Sequence, residues 1–134
     1  MSESPITIGP EDSVGAALRL MDDHDIRHLP VVDDGNLVGI VSDRDLRSCR
    51  PPIDGNWDRL DYAMDLLEER VRKHMTASVY CVNSHATLGE AVDMVVNHRI
   101  GSLCIVEPDS KRLVGIVSLL DLLAALRPRA QADA

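Results

Sequence analysis

Two short segments carry residue types suited to holding a polar ligand: Gly39-Ile40-Val41-Ser42-Asp43-Arg44-Asp45 and Gly115-Ile116-Val117-Ser118-Leu119-Leu120-Asp121. In each, a β-branched run ends at a serine and an aspartate follows three residues later. A serine hydroxyl can bind phosphate, and a short carboxylate can accept from both hydroxyls of a ribose. The unpaired N–H groups at a helix start turn toward an anion. The same Ser-x-x-Asp spacing also belongs to a capping box, in which the pair only satisfies the first backbone N–H groups of a helix. From these residues alone both readings stand, a helix cap and a nucleotide-holding elbow.

The elements that must position the elbows are themselves duplicated. Ser13-Val14-Gly15-Ala16-Ala17-Leu18-Arg19-Leu20-Met21 is echoed by Thr87-Leu88-Gly89-Glu90-Ala91-Val92-Asp93-Met94-Val95, and the same shift carries His24 onto His98, Ile26 onto Ile100 and Leu29 onto Leu103. With two more residues in the later turn, the run from Leu37 to Ser42 repeats from Leu113 to Ser118, and Asp45 falls on Asp121. Each copy opens with a β-rich scrap, residues 6–8 or 79–82. Ser13 or Thr87 then caps a helix with one apolar face, formed by Val14, Ala17, Leu18 and Met21, or by Leu88, Ala91, Val92 and Val95. Two strands come next, residues 29–32 and 37–41 joined by the turn Asp33-Asp34-Gly35-Asn36, or residues 103–106 and 113–117. A second helix is expected after each serine, so the unit reads β-α-β-β-α and the fold class is mixed α/β.

A half of roughly 60 residues is marginal alone. The sequence therefore predicts two repeats packed sheet to sheet with pseudo-twofold symmetry. Residues 1–50 form the first repeat, 51–70 a linker loop with an amphipathic helix, 71–128 the second repeat and 129–134 a flexible tail. In the linker, Trp57, Leu60, Met64, Leu67 and Val71 recur at three- and four-residue steps. That helix either lies over the adjacent half or meets a dimer mate or partner.

Composition narrows the function. The chain has 134 residues, 45% of them apolar, and a formal charge of −8. The apolar content excludes a disordered chain. Acidity without a stripe of Lys and Arg argues against nucleic acid, and Trp57, Tyr62 and Tyr80 are too few to build a base-stacking platform. No apolar run approaches the ~20 residues of a membrane span, and residues 1–10 do not resemble a secretion signal. Cys49, Cys81 and Cys104 are widely spaced without a C-x-x-C pair, which fits reduced thiols in the cytoplasm. His24 and His98 close equivalent helices, where a cation is favourable. No His spacing marks a zinc site and no nucleophile–base pair is evident, so neither a metal site nor enzymatic activity is expected.

The run from Ile26 to Leu46, with Arg27-His28-Leu29-Pro30-Val31-Val32 and Leu37-Val38-Gly39-Ile40-Val41-Ser42-Asp43-Arg44-Asp45, closely resembles the cystathionine-beta-synthase (CBS) motif. Val71-Arg72-Lys73-His74-Met75-Thr76 looks like that family's lead-in to a second copy. Two copies resemble a stand-alone CBS pair, or Bateman module. Two departures stand out: only residues 1–4 precede the first β-rich scrap, and Cys104 replaces the equivalent of Pro30. The resemblance implies a regulatory module that senses AMP, ADP, ATP or S-adenosylmethionine in clefts between the repeats. One site would combine Asp45 and Ser42 with Gly39, Val41, Arg44, Val79, Tyr80, Gly101 and Ser102. The other would combine Asp121 and Ser118 with Gly115, Val117, Ile6, Thr7, Ile8, Arg27 and His28. In both, the acid would contact ribose and the serine phosphate or sugar. No cofactor is required, and Mg²⁺ arriving with ATP would take its oxygen ligands largely from the nucleotide. The resemblance also implies a homodimer, with an effector protein or the dimer reading the conformational change. The rival expectation is a constitutive dimerisation or interaction module whose elbows serve only as caps.

Overall fold

Ser13 opens the first regular element, its side chain accepting from the Ala16 N–H at 3.1 Å. Helix α1 (Val14–His24) buries Val14, Ala17, Leu18 and Met21 and stops at Asp25, whose φ of 51° is left-handed. The computed structural model describes residues 5–50 and 60–126. Within them the chain divides into two compact units, one running from Ile6 to Val79 and the other from Tyr80 onward.

In the first unit, β1 (His28–Asp33) and β2 (Asn36–Ser42) form an antiparallel hairpin. The turn between them puts Asp34 and Gly35 at φ 52° and 83°. Two successive left-handed residues match the twist of the flanking strands, which is why Asp-Gly suits this turn. The opening strand expected at residues 6–8 is reduced to one parallel bridge between Ile8 and Val31. Pro5 and Pro10 bracket it, and the Gly9 N–H turns to the Asp12 carboxylate at 2.8 Å, so extended pairing goes no further.

A second difference follows Ser42, where no α-helix forms. The chain takes tight turns and then a 3-10 helix, Arg47–Cys49. Its bonds span three residues, as from the Cys49 N–H to Leu46 O at 2.9 Å. The Pro51-Pro52 step explains the stop, because a residue before proline is pushed out of the helical region and proline lacks an N–H.

Helix α2 (Leu60–Glu68) ends before Val71, the last residue of the apolar spacing. Trp57 lies outside the described residues, and Val71 sits in a separate 3-10 helix, Val71–Lys73, fully buried. Leu66 and Leu67 pack on the core of this unit while Tyr62 and Met64 are exposed, so the helix lies over the adjacent half, turned from the face that Met64 suggested. Thr76 then pairs with Ile40 on the free edge of β2. The lead-in Val71–Thr76 thus packs on the first unit, although the repeat pattern groups it with the second copy.

The second unit holds β3 (Cys81–Asn83), α3 (Leu88–His98), β4 (Ser102–Val106), β5 (Leu113–Ser118) and α4 (Leu119–Ala125). Its sheet runs β3-β4-β5, with β3 parallel and β5 antiparallel to β4. Thr87 and Glu90 cap α3 reciprocally, and Arg99 closes it at φ 54°, matching Asp25 in the first copy. Leu88 is exposed, while Ala91 and Val95 join Leu103, Ile105, Val117 and Leu122 in the core. The two repeats thus share one mixed α/β grammar. No helix of the described residues is long and apolar enough to cross a membrane.

Candidate functional site

Each elbow forms where a core strand runs out. β2 and β5 deliver Ser42 and Ser118 to the surface, and the chain must turn there because the following residues are polar or start a helix. In the first elbow the Asp45 N–H donates to Ser42 Oγ at 3.1 Å, and the Ser42 N–H donates to Asp45 Oδ2 at 2.9 Å. In the second, the Asp121 N–H donates to Ser118 Oγ at 3.0 Å and the Ser118 N–H to Asp121 Oδ2 at 2.9 Å. The second elbow caps α4. The first has the same reciprocal geometry without an α-helix behind it. In both acids the bond engages Oδ2, and among the described residues Oδ1 takes no hydrogen bond.

The electrostatics agree with this geometry. The Ser118 backbone N–H, with its hydroxyl, holds the Asp121 carboxyl below the usual carboxylate range. A carboxylate so held stays ionised and can accept from hydroxyl donors.

The hairpin register sets each elbow beside the start of its own repeat's first hairpin strand. His28 stands opposite Ser42, and Ser102 opposite Ser118. The Asp43 N–H donates to Arg27 O at 2.8 Å, and the Leu119 N–H to Gly101 O at 2.9 Å. Burial lowers the His28 pKa while the charge of Asp45 acts to raise it. Within its own unit, each elbow thus has the start of the first hairpin strand beside it: Arg27 and His28 beside Ser42–Asp43, and Gly101 and Ser102 beside Ser118–Leu119. Antiparallel pairing dictates this, since the start of one strand meets the end of the next.

The other expected lining residues differ in burial. Ile8 and Val41 lie in the core of the first unit and Val117 in that of the second. Gly39 and Gly115 are buried within their strands. Gly39 has a packing reason, because a Cβ there would meet Met75 Sδ at 2.7 Å and Thr76 O at 3.0 Å. Thr7 and Arg44 are exposed, and Ile6 and Val79 are half-buried in the first unit. Tyr80 is exposed in the second unit, where its ring stacks on His98 at a centroid distance of 3.8 Å.

Two groups of residues escaped the sequence. Arg50 forks between Asp22 (3.1 Å) and Asp43 (2.8 Å), tying the end of α1 to the first elbow. The Arg50 hydrogen bond holds the Asp43 carboxyl below its ordinary range. Cys49, Glu69 and His74 also converge, with their donor atoms within 4.8 Å of one another. Nothing in their sequence spacing signals either group.

The family model described as CBS domain matches residues 1–51 and 59–128. The chain belongs to the CBS domain family. The two matched stretches make it a tandem CBS pair. This pair is 33% identical to a CBS domain-containing protein of Dictyostelium discoideum, over 94% of this chain and 87% of that protein. It is also 33% identical to inosine-5'-monophosphate dehydrogenase of Methanocaldococcus jannaschii, over 96% of this chain but only 23% of that enzyme's length. Among solved structures it resembles CBSX2 in complex with AMP, with a TM-score of 0.74 and 27% identity over 98% of this chain and 91% of that one. It likewise resembles the CBS domain pair of protein MJ0100 in complex with 5'-methylthioadenosine and S-adenosyl-L-methionine, with a TM-score of 0.72 and 25% identity over 93% and 90% of the two chains.

Proposed function

We propose that this CBS pair is a regulatory module that binds an adenine nucleotide or another adenosyl compound at the Ser42–Asp45 and Ser118–Asp121 elbows. The observation that carries the reading is the repeated geometry in which a capped aspartate keeps Oδ1 for a ligand. The cap fixes each carboxylate in advance, so little side-chain entropy is lost when a ribose binds. AMP in one similar structure and S-adenosyl-L-methionine with 5'-methylthioadenosine in another support the ligand class. In this reading the protein is not an enzyme and acts in the cytoplasm. Ligand binding favours one conformation over another in proportion to its differential affinity. A second copy of the chain or an effector protein reads that change.

The test is a thermal-shift and calorimetric titration with AMP, ADP, ATP with and without Mg²⁺, S-adenosylmethionine and NAD, with GTP as the base control. A ligand at about 100 times its Kd adds ~2.7 kcal/mol. Because Asp→Ala also removes a cap, Asp45→Asn and Asp121→Asn are compared, as Asn keeps an acceptor for the backbone. Selective adenosyl binding that is lost in one of these variants supports the proposal. Caps that change stability alone, with no ligand binding at millimolar concentration, favour the constitutive interaction module.

A further inference from the structure

Cys49 ends a 3-10 helix, Glu69 follows the last turn of α2, and His74 follows the next 3-10 helix, yet their side chains meet within the first unit. His74 Nε2 lies 3.1 Å from Glu69 Oε1 and 4.0 Å from Cys49 Sγ. Their backbones are held independently of that meeting. The Cys49 N–H donates to Leu46 O at 2.9 Å, the His74 N–H to Val71 O at 2.9 Å, and Glu69 O accepts from the Val14 N–H at 2.8 Å. In a tetrahedral zinc site, with Zn–S near 2.3 Å and Zn–N or Zn–O near 2.0–2.2 Å, neighbouring ligand atoms sit roughly 3.3–3.6 Å apart. The two His74 separations bracket that range and all three ligand atoms lie within 4.8 Å of one another, so closure of the sulfur toward both the imidazole and the carboxylate completes the site.

We propose that Cys49 Sγ, Glu69 Oε1 and His74 Nε2 form a binding site for a divalent transition-metal ion of the zinc type. Sulfur, imidazole and carboxylate together suit a borderline-soft ion and not the hard Mg²⁺ that a nucleotide would carry. Cys49 is fully buried, whereas the side chains of Glu69 and His74 keep 31% and 20% exposure. The sulfur thus forms the closed side of the site, and the open side leaves a fourth position to water, as in three-ligand zinc centres. On binding, the thiol proton passes to solvent, the neutral imidazole of His74 carries its one proton on Nδ1 so that the Nε2 lone pair meets the ion, and the ion replaces the hydrogen bond between His74 and Glu69. The bound ion fastens the 3-10 helix that follows the Asp45 elbow to the segment that leads to Thr76. It therefore braces one ligand elbow without touching the ligand.

The full chain is stripped with a chelator and titrated with Co²⁺, whose bonds to thiolate give a near-ultraviolet charge-transfer absorption and whose tetrahedral complexes absorb visibly. One equivalent of Co²⁺ is expected to develop both bands, and Zn²⁺ is expected to remove them. Cys49→Ser abolishes the charge-transfer band, Glu69→Gln and His74→Gln each weaken binding by about tenfold or more, and Cys81→Ser and Cys104→Ser leave it intact. No band in the wild type, a band that survives Cys49→Ser, or unchanged affinity in both Glu69→Gln and His74→Gln overturns the site. Because Glu69 and His74 are only partly buried, the last comparison decides the matter even where Cys49→Ser fails to fold.

Discussion

His28 stands opposite Ser42 across the β1–β2 ladder, where the strand gives way to the first elbow. Burial lowers its pKa from 6.5, and the Asp45 charge offsets part of that effect. The unfolded chain therefore binds this proton more readily than the folded one. The contribution of His28 to stability is complete above the unfolded value and is lost as pH falls through the lower folded value. Melting temperatures measured from about pH 7.5 down to about pH 5 should decline, and His28→Gln should flatten that decline. Asp45→Asn should move the His28 titration, read by NMR, to lower pH. An equal decline in His28→Gln would assign the effect to another group. Asp43 and Asp121, whose pKa values are also lowered, act in a separate window below about pH 4, where protonation removes their contribution.

Gly39 lies under Met75, and an added methyl group would meet Met75 Sδ at 2.7 Å and the Thr76 carbonyl at 3.0 Å. The thioether can move but the backbone cannot without loosening the Ile40–Thr76 pair. Gly39→Ala should cost about 1–3 kcal/mol in urea unfolding, the range for overpacking. Adding Met75→Ala should recover only part, because the carbonyl contact persists. Full recovery would show that Met75 alone imposes the glycine.

Arg50 joins Asp22 and Asp43, but its side chain is 37% exposed, so solvent screens the pairing. Arg50→Gln should lower stability by no more than about 1 kcal/mol, and by less in high salt. The sharper readout is local. NMR titration should show the Asp43 pKa rising toward its ordinary value, since the Arg50 hydrogen bond is the largest cause of its depression. An unmoved Asp43 would leave the fork without electrostatic effect.

Cys104 is buried in β4 beside Cys81, and burial, with a smaller effect from Cys81, pushes its thiol up to about 12. Thiolate is the reactive form, so Cys104 should resist alkylation in the native protein while the half-buried Cys81 reacts first. Cys81→Ser should remove a fast phase that Cys104→Ser leaves in place. Mass spectrometry of partly labelled protein checks the assignment.

Much of the architecture was legible because its signals are local. Ser13 and Thr87 each cap their helix through the third residue on, and the Asp34-Gly35 turn needs only two left-handed residues. The Ser-x-x-Asp elbows appear with the spacing read from the chain, since a reciprocal cap closes within one turn. The helix expected after Ser42 failed even though its cap formed. The same reciprocal cap opens an α-helix after Ser118 but tight turns and a 3-10 helix after Ser42, so the cap by itself does not commit the chain to a helix.

The sequence by itself determined the duplicated helix-and-hairpin (α-β-β) pattern, the helix caps, the hairpin turn and the paired elbows, all of which arise from periodicity and contacts a few residues apart; the opening strand and closing α-helix formed in the second copy alone. Only the tertiary structure decided that Val41 and Val117 serve the core, that Met75 covers Gly39, that His28 neighbours Asp45 and that Cys49 meets Glu69 and His74. These relationships depend on strand register and on where whole segments pack. Register is chosen by the fit of entire apolar faces, so no short motif records which distant side chains it brings together.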